Sequence, residues 1–188
     1  MDRIFKPLIL IIALFFIVQT AVNAQESIWD RLQAQCGKAF SGTLEYPKNE
    51  PGFSDQELVM HVLSCNDSVL YVPFFVGEDR SRTWVIRKQD IGYSLHHDHR
   101  NEDGTSEVQT MYGGHMNNAG NDTMYVFPAD HYTCELLDYA CGNVWWITMD
   151  DQYFTYNLRR VGTDRLFTVR FDLSKSVKTP ELPWGWKK

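Results

Sequence analysis

Hydrophobic side chains fall at every second position near the end of the chain. Phe154, Tyr156 and Leu158 alternate with Thr155, Asn157 and Arg159, and Phe167, Val169, Phe171 and Leu173 alternate with Thr168, Arg170 and Asp172. Successive side chains of an extended strand point to opposite faces, so a period of two gives each segment one buried and one wet face. A helix, with its period of 3.6, cannot use this pattern. Short runs rich in β-branched and aromatic residues recur from Lys38 onward, divided by Gly, Pro, Asn and Asp clusters. Strands are predicted near residues 38–46, 56–65, 69–76, 82–89, 93–100, 107–113, 123–127, 143–149, 153–161 and 165–173. Asn66-Asp67-Ser68, Asp90-Ile91-Gly92, Asp150-Asp151-Gln152 and Gly162-Thr163-Asp164 have the composition of hairpin turns. About ten strands in series leave exposed edges unless the sheet closes. The predicted fold is therefore all-β, an antiparallel meander closing into a barrel or flattened clam. A two-sheet β-sandwich buries the same faces and is the alternative. One short helix precedes the strands: Ser27 with Asp30 resembles a capping box, and Ile28, Leu32 and Cys36 recur at helical spacing before Gly37.

Residues 1–24 read as a signal peptide. Arg3 and Lys6 form a basic start, residues 8–18 are an unbroken apolar run, and Val22-Asn23-Ala24 offers small residues for cleavage. That run is too short for the ~20 residues a membrane-spanning helix needs. Residues 25–188 are then expected to be a single exported β-rich domain, with an irregular tail from about residue 175 and no membrane segment after cleavage. The formal net charge of the whole chain is -6, and loss of the signal makes it more negative. Such a chain gains nothing from a phosphate backbone, so nucleic acid is not an expected partner. A monomer in the periplasm or outside the cell is expected. Cys36, Cys65, Cys134 and Cys141 all lie beyond the signal, and an even count in an exported chain favours disulfides. Four cysteines allow three pairings; the near pairs, Cys36 with Cys65 and Cys134 with Cys141, close the shortest loops.

Polar side chains are densest in residues 82–114. In the predicted strand over 93–100, Tyr93, Leu95, His97 and His99 share one face, while Ser94, His96, Asp98 and Arg100 share the other. The apolar pair marks the first face as the inner one. His97 and His99 can therefore aim both imidazoles at one interior point, as strand-borne metal sites do. A divalent metal needs further ligands, and His115, or Glu102 or Asp103, supplies one if its loop folds inward. Without a metal, the same histidines are neutral rings hydrogen-bonded within a polar lumen. On the outer face, His96, Asp98 and Arg100 form an electrostatic ladder contributing about 0.2–1 kcal/mol per pair. Arg80 and Arg82 are placed either to grip a carboxylate or phosphate or to sit in a solvated turn. Trp84, Tyr93, Tyr112, Trp145, Trp146, Tyr156 and Phe167 either line a cavity for an apolar ligand or pack the core; the adjacent Trp145 and Trp146 must face opposite ways. The candidate ligand-binding residues are Arg82, Trp84, His97, His99 and Tyr112, and the candidate metal ligands are His97, His99 and His115. There is no G-x-S-x-G, so a nucleophile elbow is not expected.

The motifs Asp79-Arg80-Ser81-Arg82-Thr83-Trp84, His97-Asp98-His99-Arg100, Glu102-Asp103-Gly104, Tyr112-Gly113-Gly114, Phe127-Pro128-Ala129-Asp130, Asn143-Val144-Trp145 and Phe171-Asp172-Leu173 resemble those of a group of exported bacterial proteins with no known activity. The resemblance implies a secreted or periplasmic protein and transfers no catalytic residues. Likeness to lipocalins is architectural only. The function expected is non-catalytic binding of a small molecule or envelope component inside a β-barrel. The alternatives are a metal-dependent enzyme or metal-binding protein using His97 and His99, and an envelope structural or interaction protein using the tryptophan-bearing tail, Pro183-Trp184-Gly185-Trp186.

Overall fold

The computed structural model describes residues 26–117 and 119–187; the predicted signal segment, residues 1–24, lies outside them. The chain folds as a near-closed antiparallel barrel. Its strands are β1 (Ala39–Tyr46), β2 (Leu58–His61), β3 (Ser64–Cys65), β4 (Val69–Val76), β5 (Asp79–Lys88), β6 (Tyr93–His99), β7 (Tyr112–His115), β8 (Met124–Pro128), β9 (Asn143–Met149), β10 (Tyr153–Arg160) and β11 (Leu166–Asp172). Their order is β7-β6-β5-β4-β2-β1-β11-β10-β9-β8, with the two-residue β3 paired to β4. Sheet neighbours are consecutive in sequence except for β2 with β4, which leaves out the short β3, and β1 with β11, where the first and last strands meet. The remaining seam, between β7 and β8, is bridged at one point, Gly114 with Ala129.

The alternation that predicted strands also fills the interior. Phe154 and Tyr156, with Phe167, Val169 and Phe171, point inward and join Phe40, Phe74, Trp84 and Trp145 in one buried cluster. The turns are made by the expected residues. Asn66 Oδ1 accepts from the backbone N–H of Ser68 and Val69, and Asp150 Oδ1 accepts from Gln152 and Tyr153. Two disulfides, Cys36–Cys65 and Cys134–Cys141, tie the near pairs, which fits an oxidising environment.

The two ends of the barrel differ. Helix α1 (Ile28–Ala34), capped by the Ser27 side chain, lies across the end where β5 turns into β6. Ile28, Trp29 and Leu32 are buried there, and Trp29 stacks on Tyr93 at 5.3 Å. At the opposite end Phe53, from the loop between β1 and β2, packs against Phe74 and Phe167. Among the described residues, no helix is long and apolar enough to cross a membrane.

Two expectations need correction. The segment predicted as a strand over 56–65 is split, because Val62 and Leu63 leave the ladder between β2 and β3. The strand predicted over 107–113 begins only at Tyr112. Before it, Thr110 Oγ1 accepts the His99 N–H that a ladder would use, and Met111 takes a left-handed backbone at φ 58°. A side chain has replaced a main-chain partner there, so regular pairing cannot start earlier. The irregular tail folds back onto the outer wall of the barrel. Val177 bridges Ala39, the Trp184 N–H donates to Arg80 O, and Trp186 packs edge-on against Tyr71.

Candidate functional site

Strand β6 positions the interior site. Pairing with β5 sets His97 opposite Trp84 and His99 opposite Arg82, and pairing with β7 sets His97 opposite Tyr112. Directly opposed residues share a face, so these five side chains, the full candidate ligand-binding set, converge inside the barrel. They line a cavity of about 130 Å³ together with Phe53, Phe74, Tyr156, Arg165 and Phe167. Its walls are stacked rings: Trp84 lies 4.5 Å from Tyr156 and 4.9 Å from Phe74, and His97 lies 4.7 Å from Tyr112.

His97 is held at both nitrogens. Its Nδ1 is 3.0 Å from the Tyr112 carbonyl and its Nε2 is 2.7 Å from the Tyr156 hydroxyl. A carbonyl can only accept, so Nδ1 carries the proton and donates to it, while Nε2 accepts from Tyr156. Burial, opposed only in part by that carbonyl, lowers the His97 pKa to about 3. Burial, and then the nearby Arg82 charge, lowers His99 to about 4. His99 Nε2 meets the Tyr112 hydroxyl at 3.2 Å, and burial raises that phenol to about 12. Both imidazoles are therefore neutral at neutral pH.

Charge gathers at the mouth. Arg82 donates to Asp79 at 2.5 Å, and Arg165 donates to Glu50 at 2.8 Å. Each guanidinium also lies over a ring, Arg82 over Phe53 and Arg165 over Phe167. A guanidinium has five N–H donors, so neither ion pair exhausts its arginine. Phe53 was not foreseen, because it sits in a loop where no periodicity tells which way a side chain points; Arg165 shares the parity of Phe167 and Val169 at the start of the predicted last strand, so the alternation could have found it. Arg80 does not join Arg82. The register of β5 against β4 shifts between Phe74 and Val76, a bulge that turns Arg80 to the outer wall, where it pairs with Glu181 of the tail.

The predicted metal set of His97, His99 and His115 is not assembled. His115 belongs to β7 and stands opposite Ser94, which puts it on the outer face with the sheet between it and the two inner rings. Both His97 nitrogens are engaged, so that ring has no lone pair free. Asp103 instead accepts from Thr105 in its own turn. The outer ladder is partly present: Arg100 Nε donates to Asp98 at 3.0 Å. His96 leaves it for the β7–β8 seam, where its Nε2 is 3.0 Å from Asp130 Oδ2, and His115 Nε2 is 3.4 Å from the same oxygen. Asp130 also caps α2 (His131–Leu136), its Oδ1 accepting from Thr133 N–H. Compared with protein-family models, with curated proteins and with solved structures, the chain has no match in any of the three.

Proposed function

We propose that this is an exported, non-catalytic binding protein whose barrel holds a small organic molecule of about one ring, bearing a carboxylate. One observation carries the reading: the cavity of about 130 Å³ with aromatic walls, neutral imidazoles and the two arginines at its mouth. Its volume is close to the ~150 Å³ of an apolar cavity that takes up benzene, which limits the ligand to a single ring or a short chain. Stacked walls favour a planar body, and the remaining N–H donors of Arg82 and Arg165 favour an acidic end group. The inner histidines are poor catalysts as placed, since burial lowers their pKa values to about 3 and about 4, far below the neutral pH at which a general acid or base must exchange protons. Export is supported by the signal-like start and the two disulfides. The reading as an envelope interaction protein draws less support, because the Trp186 ring packs on Tyr71 of the protein's own wall and the main chain of Trp184 is tied to Arg80.

Trp84 lines the cavity and reports on it. Titration with benzoate as the probe is expected to change tryptophan fluorescence saturably, and native mass spectrometry of protein taken from its own compartment is expected to show a retained small molecule. Arg82→Gln removes a charged donor and is expected to weaken benzoate binding about 10-fold or more, as hydrogen bonds to charged groups contribute about 1.5–3 kcal/mol. No retained mass together with no saturable response to benzoate would overturn the reading.

A further inference from the structure

The seam between β7 and β8 brings together three metal-ligating side chains from three elements. The ligand atoms of His96, on β6, His115, ending β7, and Asp130, following β8, all lie within 4.8 Å of one another. We propose that His96, His115 and Asp130 bind one divalent transition metal of the zinc class, and that this ion fastens the open seam of the barrel.

The geometry fits such an ion closely. Metal–ligand bonds of about 2.0–2.2 Å in a tetrahedron set the ligand atoms roughly 3.3 Å apart. Two of the three edges already have that length, 3.0 Å for His96 Nε2 to Asp130 Oδ2 and 3.4 Å for His115 Nε2 to the same oxygen. The third edge is no longer than 4.8 Å, and His115, its side chain 49% exposed against 14% for both His96 and Asp130, is the ligand with solvent space in which to rotate and close it. That exposed side also leaves a fourth position open to water. Two imidazoles with one carboxylate suit zinc-class ions rather than calcium or magnesium, which prefer all-oxygen sites.

The carboxylate is oriented before any ion arrives. Asp130 N–H donates to Gly113 O at 3.0 Å, and Asp130 Oδ1 accepts from Thr133 N–H at 2.8 Å, which turns Oδ2 toward the histidines. Thr133 is fully buried and its hydroxyl bonds both main-chain groups of Gly113. Such outer contacts are the usual support of a metal ligand. Glycine is required here: a Cβ on Gly113 would lie 2.0 Å from Leu95 O, and one on Gly114 would lie 1.9 Å from Pro128 O. The two glycines let β7 approach β6 on one side and the end of β8 on the other, and so bring the three ligands to one place. The seam has one main-chain bridge, so an ion there adds a link where the sheet lacks its own.

The test uses the purified, oxidised protein stripped of metal, titrated with zinc chloride by calorimetry and, in parallel, melted with and without zinc. One equivalent bound per chain and a higher Tm with zinc are expected, with no comparable response to magnesium or calcium. Loss of outer contacts alone costs a metal site about 10–100-fold in affinity, so His115→Ala is expected to weaken binding by at least about 10-fold and abolish the Tm rise. Asp130→Asn retains a side chain that can cap α2, and the same loss is expected of it. His131→Ala, which removes the exposed His131–Glu135 pair nearby, is expected to leave binding unchanged. The proposal is overturned if no stoichiometric zinc binds, or if either His115→Ala or Asp130→Asn binds zinc as tightly as the unaltered protein.

Discussion

Strand β6 carries histidines on both faces, and the two faces put the same ring to different use. On the inner face, His97 is enclosed by Trp84, Tyr112, Trp145 and Tyr156, with each nitrogen committed to one neighbour. On the outer face, His96 shares a carboxylate oxygen with a half-exposed second histidine. The inner rings are structural walls of a cavity, whereas the outer pair converges on a single point with solvent on one side. Adjacent residues of one strand thus differ in function because the pleat sends them into different surroundings, one desolvated and aromatic, the other wet and charged.

That contrast has measurable consequences. The largest should come from the inner wall: Trp84→Ala removes a ring that stacks on both Phe74 and Tyr156, and loss of a buried tryptophan costs about 3–5 kcal/mol, to be read from denaturant unfolding. Next comes acid sensitivity. Folding lowers the His97 and His99 pKa values from 6.5 to about 3 and about 4, so below pH 6.5 the unfolded chain binds more protons than the folded one. Stability is then fully present above about pH 6.5 and is lost as pH falls toward 4, by up to about 1.4 kcal/mol per pH unit for each ring. Unfolding midpoints measured across that window should show the slope, to which His61 and His96, also lowered by burial, contribute, and His97→Gln should reduce it. A stability that stays level from pH 6.5 to 4 would mean that the inner rings are not held neutral. The outer face should respond least. In the absence of metal, Asp130→Ala removes the cap of α2 and is expected to cost about 1 kcal/mol, while His115→Ala should stay within about 0.5 kcal/mol, as exposed substitutions do. A larger loss for His115→Ala would place its role in the fold itself.

Much of the interior was legible in the order of residues. Alternation around Leu95 correctly turned His97 and His99 inward, and Trp145 and Trp146 do face opposite ways, although only the structure decided that Trp145 is the inner one. The hairpin turns could be read because Asn, Asp and Gly make them by local hydrogen bonds and left-handed backbone, which need no distant partner. Arg80 and Arg82 could not be separated in this way, since a bulge shifts parity and depends on how two strands meet. His115 was expected to reach inward from a loop. It proved to be the last residue of a strand, and its face followed from pairing with Ser94 rather than from its own neighbours.

The sequence by itself determined the all-β class, the positions of most strands and turns, and which side chains of each strand meet the core. All of these follow from a period of two and from local turn chemistry. The tertiary structure alone decided which residues from distant strands meet: Tyr156 with His97, Arg165 with the mouth of the cavity, and Asp130 with His96 and His115. A strand's pattern specifies its faces but not its neighbours across a closed sheet, where register, bulges and the approach of the last edges are settled by all the strands packing together.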